Sequence, residues 1–223
     1  MSRKLIIVGD SAFAEIAYEY FTHDSDYEVV AFSVEREFRK REELFGLPIV
    51  PFEDLHTTYA PAEHSVYVAT VYTQLNRLRT RLAGAAKSRG FALASYVSSA
   101  AFVWRNVALG EHCFVFEENV VQPFVRLGDN VVLWSGNHIG HHSSIGANCF
   151  VSSHVVVSGF VDVGENCFLG VNSTIVNNVR VGRDCWVGPA VVVTKDLDDA
   201  SYVKPPHGEI GRTSTLEFFG VEP

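Results

Sequence analysis

The chain has 223 residues, enough for one large domain or two small ones, and at 47% hydrophobic it can bury a substantial core. A net charge of −8 supplies no basic field to draw it onto nucleic acid or an anionic membrane, and suits small-molecule partners. The apolar run in MSRKLIIVGDS ends at Gly9 and Asp10, too short for a signal segment or a membrane span, so a cytoplasmic location is expected.

Residues 1–97 alternate short apolar runs with helical patterns. KLIIVG (4–9) reads as a buried strand, and SAFAEIAYEYF after it carries a helical stripe of Phe13, Ile16, Ala17 and Tyr20. VVAFSV (29–34) and SVYVATV (65–71) are further strands, and FALASYV (91–97) a last one. Between Gln74 and Arg89, Leu75, Leu78 and Leu82 share a helical face, while Arg77, Arg81 and Lys87 lie off it and read as a solvated face. Strand–helix alternation predicts a small parallel α/β sheet.

From residue 103 the rule changes. Stepping by six from Val103 to Val193 lands on Val, Leu or Ile at sixteen consecutive positions. Chance does not give this when aliphatics make up about a quarter to a third of ordinary composition. An α-helix does not explain it either, because six residues turn a helix through about 600° and carry the stripe around its surface. Two positions before each aliphatic stands a second small or apolar residue, as at Cys113, Val131, Cys149, Val155, Cys167 and Cys185, which makes each in–out–in unit a short strand. Gly follows the aliphatic at 110, 128, 140, 146, 164, 170, 182 and 188. Asn or Asp stands at 130, 148, 166, 172, 178 and 184, as suits corners where φ turns positive. Hexapeptides of strand plus corner predict a parallel β-helix whose triangular coil closes every eighteen residues, with coils stacked at about 4.8 Å. The expected organisation is an α/β region over 1–100, a β-helix over 101–196 and a tail over 197–223.

This period organises the remaining chemistry. Cys113, Cys149, Cys167 and Cys185 differ by multiples of eighteen, so they fall on one inward column as core filler rather than as nucleophiles or zinc ligands. The segment WSGNHIGHHSSIG (134–146) holds three histidines. His138 is the outward residue of a strand, His141 and His142 are corner residues, and His154 lies on a different edge. The column through His141 runs Pro123, His141, Gly159, Asn177, Lys195, so a bare glycine lies directly above the imidazole and opens a groove beside it. A lone corner histidine is an ordinary surface residue, but three on one rim under a gap point to function. No carboxylate accompanies them and their directions do not converge, so no metal site is expected. A non-catalytic β-helical scaffold and a zinc enzyme like the β-helical carbonic anhydrases are the rival readings.

The hexapeptide β-helix, the glycine turn opening the α/β region and IGHHSSIG (139–146) together resemble one group over residues 3–203. These are the bacterial sugar acyltransferases related to sialic acid O-acetyltransferase and to the bacillosamine and perosamine N-acetyltransferases. The resemblance implies a left-handed β-helix, a homotrimer with active sites between neighbouring coils, acetyl-CoA as co-substrate and a nucleotide-linked sugar as acceptor, amine or hydroxyl. Acyl carrier protein is an alternative donor. It places a general base at His141, with His142 where the family commonly has Glu or Asp, and a backbone donor to the thioester at Gly159. SGFVDVGENCFLGVNSTI (158–175), including Val171, would line the pantetheine arm, and GPAVVVTKD (188–196), with Gly188, Pro189 and Lys195, the far end of CoA. GDSAFA (9–14) keeps Gly9 and Ser11 of the family's first turn but has Ala12 and Ala14 in place of glycines, so Gly9, Asp10 and Ser11 at a helix start, with His138, are expected to contact the acceptor. The GxGxxG dinucleotide fingerprint is absent. VKPPHGEIGR (203–212) replaces the family's usual glycine–valine–proline–alanine ending.

Overall fold

A computed structural model of the chain describes residues 3–222. The N-terminal region forms a sheet from β1 (Arg3–Val8), β2 (Tyr27–Val34), β3 (Glu43–Leu44), β4 (Leu47–Pro51), β5 (His64–Val68) and β6 (Ala92–Leu93), in the order β3-β4-β2-β1-β5-β6. It is mixed rather than purely parallel as expected, because β3 runs antiparallel to β4. Phe45 and Gly46 turn the chain between them at φ of 51° and 74°, a tight hairpin without the Asn-Gly pair that would have announced it. FALASYV is not one strand. Its first part is β6, paired with β5, and its second is β7 (Tyr96–Val97), paired with Phe114–Val115. The chain crosses there from one sheet to the next.

Helix α1 (Ala12–His23) buries Phe13, Ala14, Ala17 and Phe21, a stripe turned slightly from the expected one so that Ile16 and Tyr20 are half-buried. A short helix, α2 (Leu55–Thr58), precedes β5, and α3 (Arg77–Ser88) precedes β6. Leu75 stands outside α3, since Gln74, Leu75 and Asn76 hold left-handed φ of 53°, 48° and 65°.

From β7 onward the backbone is a three-sided parallel coil. Sheet I contains β7 and then Phe114–Val115, Val132–Leu133, Phe150–Val151, Phe168–Leu169, Trp186–Val187 and Tyr202–Val203. Sheet II runs from Phe102–Val103 through His138–Ile139 to Val192–Val193, and sheet III from Ala108–Leu109 to Arg180–Val181. Strands pair in parallel with those eighteen residues on, as Phe114 with Val132 and His138 with Val156, until the last coil, where Trp186 pairs with Tyr202. The stepped aliphatics from Val115 to Val193 are buried, each contributing about 1.5–3 kcal/mol, while Val103 and Leu109 in the first coil are partly open. All four cysteines are fully buried on one column, and burial raises the Cys113 thiol to about 11. Asn130, Asn148, Asn166, Asn172, Asn178 and Asp184 hold φ between 57° and 64°, as their corners require. After the last coil the chain is exposed and ends in α4 (Thr215–Phe219), whose first turn is capped by Ser214.

The two regions share a core. The outward residues of sheet I, Phe114, Phe150 and Phe168 among them, pack with Phe13, Phe21 and Tyr67. Arg79 is fully buried at this junction and faces no carboxylate. Its guanidinium donates to the carbonyls of Val68 (3.2 Å), Asn130 (2.7 Å) and His112 (2.9 Å) and to the Tyr67 hydroxyl (3.3 Å). His112 accepts the Val68 N–H at its Nε2 (2.8 Å), so its proton sits on Nδ1, toward Asn130 Oδ1 (2.7 Å). Burial first, and then the Arg79 charge, push the His112 pKa well down and keep the ring neutral. Around this clamp, Arg77 pairs with Asp184 and Lys87 with Glu111, so two residues expected to be merely solvated tie α3 to the coil.

Two measurements check this clamp. Arg79→Met strands three carbonyls, and each orphaned acceptor costs about 1–3 kcal/mol, so urea unfolding is expected to show a loss of at least about 3 kcal/mol. His112, neutral when folded, regains an ordinary pKa of about 6.5 on unfolding. The folded pKa is the lower one, so its stabilisation is complete above the unfolded value of about 6.5 and is lost progressively as pH falls below that, toward the folded pKa. Between about pH 7.5 and 5.5 the wild-type unfolding midpoint should fall further than that of His112→Gln.

Candidate active site

The edge between sheets II and III brings His141 and Gly159 together. A Cβ on Gly159 would stand 2.8 Å from His141 Cε1 and 2.9 Å from its Nε2, so the imidazole occupies the space the glycine leaves. Asn177 lies above, its Nδ2 3.3 Å from the same point. The His141 N–H donates to Gln122 Oε1 at 2.9 Å. The matching position below Gly159 is Gly140, which has no side chain to offer, and the Gly159 N–H donates to no group among the described residues.

His142 is held between two phenyl rings. Phe124 stacks on it at 4.5 Å and 28°, and Phe160 at 4.9 Å and 18°. All three stand on one column with φ of 66°, 59° and 59°, a conformation uncommon for bulky residues and natural for the asparagines of other coils. Held there, His142 places its Nδ1 3.1 Å from His141 Nδ1. That contact needs one proton and one lone pair. With the proton on His141, its Nε2 lone pair points into the groove beside Gly159. His141 meets His142 and Phe160 edge-on, both at 86°, and remains exposed. Phe124, Phe160 and Gln122 were not singled out by the sequence reading, although a phenylalanine in a corner that elsewhere takes asparagine is a legible signal.

A second feature is a cavity of about 640 Å³ in the N-terminal region, at the C-terminal ends of β1, β2 and β5. Gly9, Asp10 and Ser11 line it at the start of α1, where first-turn N–H groups lack helical partners. Such crevices at a change of strand order are where open α/β sheets bind ligands. The Ser11 side chain makes no capping bond, and the buried Thr70 hydroxyl on the cavity wall has no partner. The Asp10 carboxylate is already engaged by Arg41 at 3.3 Å. Opposite lie Glu37, Phe38 and a fork of Arg81 on Glu35 at 2.7 and 2.8 Å, which holds the Glu35 carboxyl below its usual range. Arg81, expected to be only solvated, is thus part of the cavity.

The other expected residues do not converge within one chain. Gly159 and Lys195 lie on the His141 edge, but Val171, Gly188 and Pro189 lie on the edge between sheets I and II. His138 is half-buried on the face of sheet II, paired with Val120 and Val156, away from both edges. No three His, Cys, Asp or Glu side chains among the described residues could hold a metal ion.

Comparisons with known proteins agree with this geometry. The family model for bacterial transferase hexapeptide repeats matches residues 124–159, and that for the hexapeptide repeat of succinyl-transferase matches 161–195. Among curated proteins no sequence matches. The structure of PerB from Caulobacter crescentus, in complex with CoA and GDP-perosamine, superposes with a TM-score of 0.80 at 27% identity, covering 89% of this chain and 92% of that one. The acetyltransferase domain of PglB from Neisseria gonorrhoeae, also solved with acetyl coenzyme A, shares the fold at a TM-score of 0.81 and 22% identity, over 91% and 96% of the two chains. WeeI from Acinetobacter baumannii superposes at 0.59 and 18%, over 89% and 94%. In its eighteen-residue coil, in both repeat models and in the fold it shares with PerB, the chain is similar to the hexapeptide-repeat bacterial sugar acyltransferases.

Proposed function

We propose that the protein transfers an acetyl group from acetyl-CoA to an amino or hydroxyl group of a nucleotide-linked sugar. The observation that carries this is the His141 imidazole filling the space beside Gly159, whose N–H has no partner among the described residues. That pairing supplies the two things acyl transfer needs, a base beside the nucleophile and a donor where negative charge develops. His141 takes the acceptor proton as nitrogen or oxygen attacks the thioester carbonyl. The Gly159 N–H stabilises the tetrahedral oxyanion, and the C–S bond then breaks to release the thiolate. His142, pinned between Phe124 and Phe160, keeps the proton on His141 Nδ1. No nucleophilic residue takes part, in keeping with four buried thiols.

In this reading the acceptor's phosphates rest at Gly9, Asp10 and Ser11 in the cavity. CoA lies along Gly159, Val171, Gly188, Pro189 and Lys195. The coil is left-handed and the molecule a homotrimer with an α/β region near 1–100, a catalytic coil near 101–196 and a tail. The supply of acetyl-CoA makes the cytoplasm its place of action. PerB, solved with CoA and a nucleotide-linked amino sugar, supports the donor and the acceptor class.

His141→Ala is expected to lower kcat by about two to four orders of magnitude while leaving thermal unfolding unchanged. Near-wild-type turnover would remove His141 from the mechanism. Gly159→Ala pushes a methyl group into the His141 ring, which can swing outward, so activity should fall at least about a hundredfold with little loss of stability. Calorimetric titration with acetyl-CoA tests the donor, and an absence of heat and of thermal stabilisation would return the scaffold reading.

A further inference from the structure

The three sheets present unlike outer faces. Sheet I is covered by the chain's own N-terminal region. Sheet III is polar: the Ser144 hydroxyl donates to Asp162, and Arg126 and Arg180 stand exposed on either side. Sheet II is bare and apolar, with Phe102 52%, Val156 38% and Val192 61% exposed, and Trp104 beside it. The residues of the reading above fall on the two edges flanking this bare face, and His141 stands exposed on one of them with no opposing wall. A second copy is the occupant that supplies both the missing wall and the missing residues. Copies that turn sheet II toward a common axis bring the II/III edge of one against the I/II edge of the next, a head-to-tail contact that closes into a ring.

What the I/II edge carries at that height is His154. Its imidazole lies over Gly136, one coil below, where any Cβ would collide with the ring, and the residue is exposed on the corner at a φ of 57°. It is thirteen residues beyond His141 in an eighteen-residue coil, so its backbone stands about 3.5 Å above that of His141. Its ring, lying toward Gly136, hangs between that height and the coil below, beside the level of the His141 ring. That level is where the thioester must sit, between base and oxyanion donor. Directly above His154 on the same edge come Asn172 and Ala190, beside Val171 and Pro189.

Resting on the acetyl-transfer reading, we propose that His154 of one copy completes the site of its neighbour, as the hydrogen-bond donor to the thioester sulfur. The bond from the acceptor to the acyl carbon forms first, giving the tetrahedral oxyanion, and the C–S bond breaks as that oxyanion collapses. The electron pair leaves on sulfur, the acceptor's proton goes to His141, and the His154 N–H holds the thiolate until solvent protonates it.

The test is complementation between copies. His141→Ala and His154→Ala are each made, and then unfolded and refolded together. His154→Ala alone should lose at least tenfold in kcat with little change in the KM for acetyl-CoA. In the equal mixture, a site keeps both imidazoles when the two variants are neighbours in the right order, so activity should rise to about a quarter of wild type by random assembly. Wild-type turnover by His154→Ala, or a mixture no better than its parents, overturns the proposal. A second arm does not use activity. All native cysteines are buried, so a His141→Cys/His154→Cys double variant offers only its two new thiols to a short bis-maleimide. Covalent dimers and trimers on a denaturing gel, absent in both single variants, are expected; monomer alone overturns the arrangement, whatever the acceptor proves to be.

Discussion

Everything rests on the closure of the coil after eighteen residues. Parallel strand pairing at about 4.8 Å converts sequence spacing directly into vertical stacking, so chemistry is written in columns. His141 meets Gly159 only because each corner uses four residues and each side pairs in register. The corner that delivers this register requires a left-handed residue, and asparagine supplies it most cheaply. Where the column instead holds Phe124, His142 and Phe160, the fold accepts local strain and gains a stacked aromatic clamp. Strain concentrated beside the one exposed histidine pair is how a repeat, otherwise uniform, marks a site.

In the proposed reading, the clamp also sets the electrostatics of the base. A carboxylate behind an imidazole stabilises the cation that forms when it accepts a proton. The His142 ring offers direction without a carboxylate's charge, so His141 gains orientation but no counter-ion. Orientation alone is enough to aim Nε2 at the groove, and it depends on two phenyl rings instead of a salt bridge.

The repeat was the most legible part of the sequence, because a period of six leaves an unbroken aliphatic ladder and the glycine above His141 follows by counting. The inward cysteines and the left-handed asparagines were legible for the same reason. The N-terminal sheet was read only in outline. Its parallel strands announced themselves as apolar runs, but the antiparallel turn at Phe45–Gly46 carries no distinctive pair of residues, and FALASYV is equally apolar on either side of the crossing that divides it. The outward aromatics of sheet I were hidden because a six-residue step says nothing about residues that face away from the coil. Arg79 and His112 were hidden more deeply. An arginine on a helix reads as solvated, and only the junction reveals that three main-chain carbonyls from separate elements converge on it.

That guanidinium leaves the two regions no hinge, since either one rotating would strand carbonyls it had been serving. The span from the cavity to every coil corner is therefore constant, like the jaws of a caliper locked at one opening. In the proposed reading, an acceptor anchored in the cavity is measured by its length: a spacer too short leaves its reactive end short of the imidazole, and one too long overshoots. Selectivity for the acceptor then resides as much in the rigidity of a seam as in the groups that touch it.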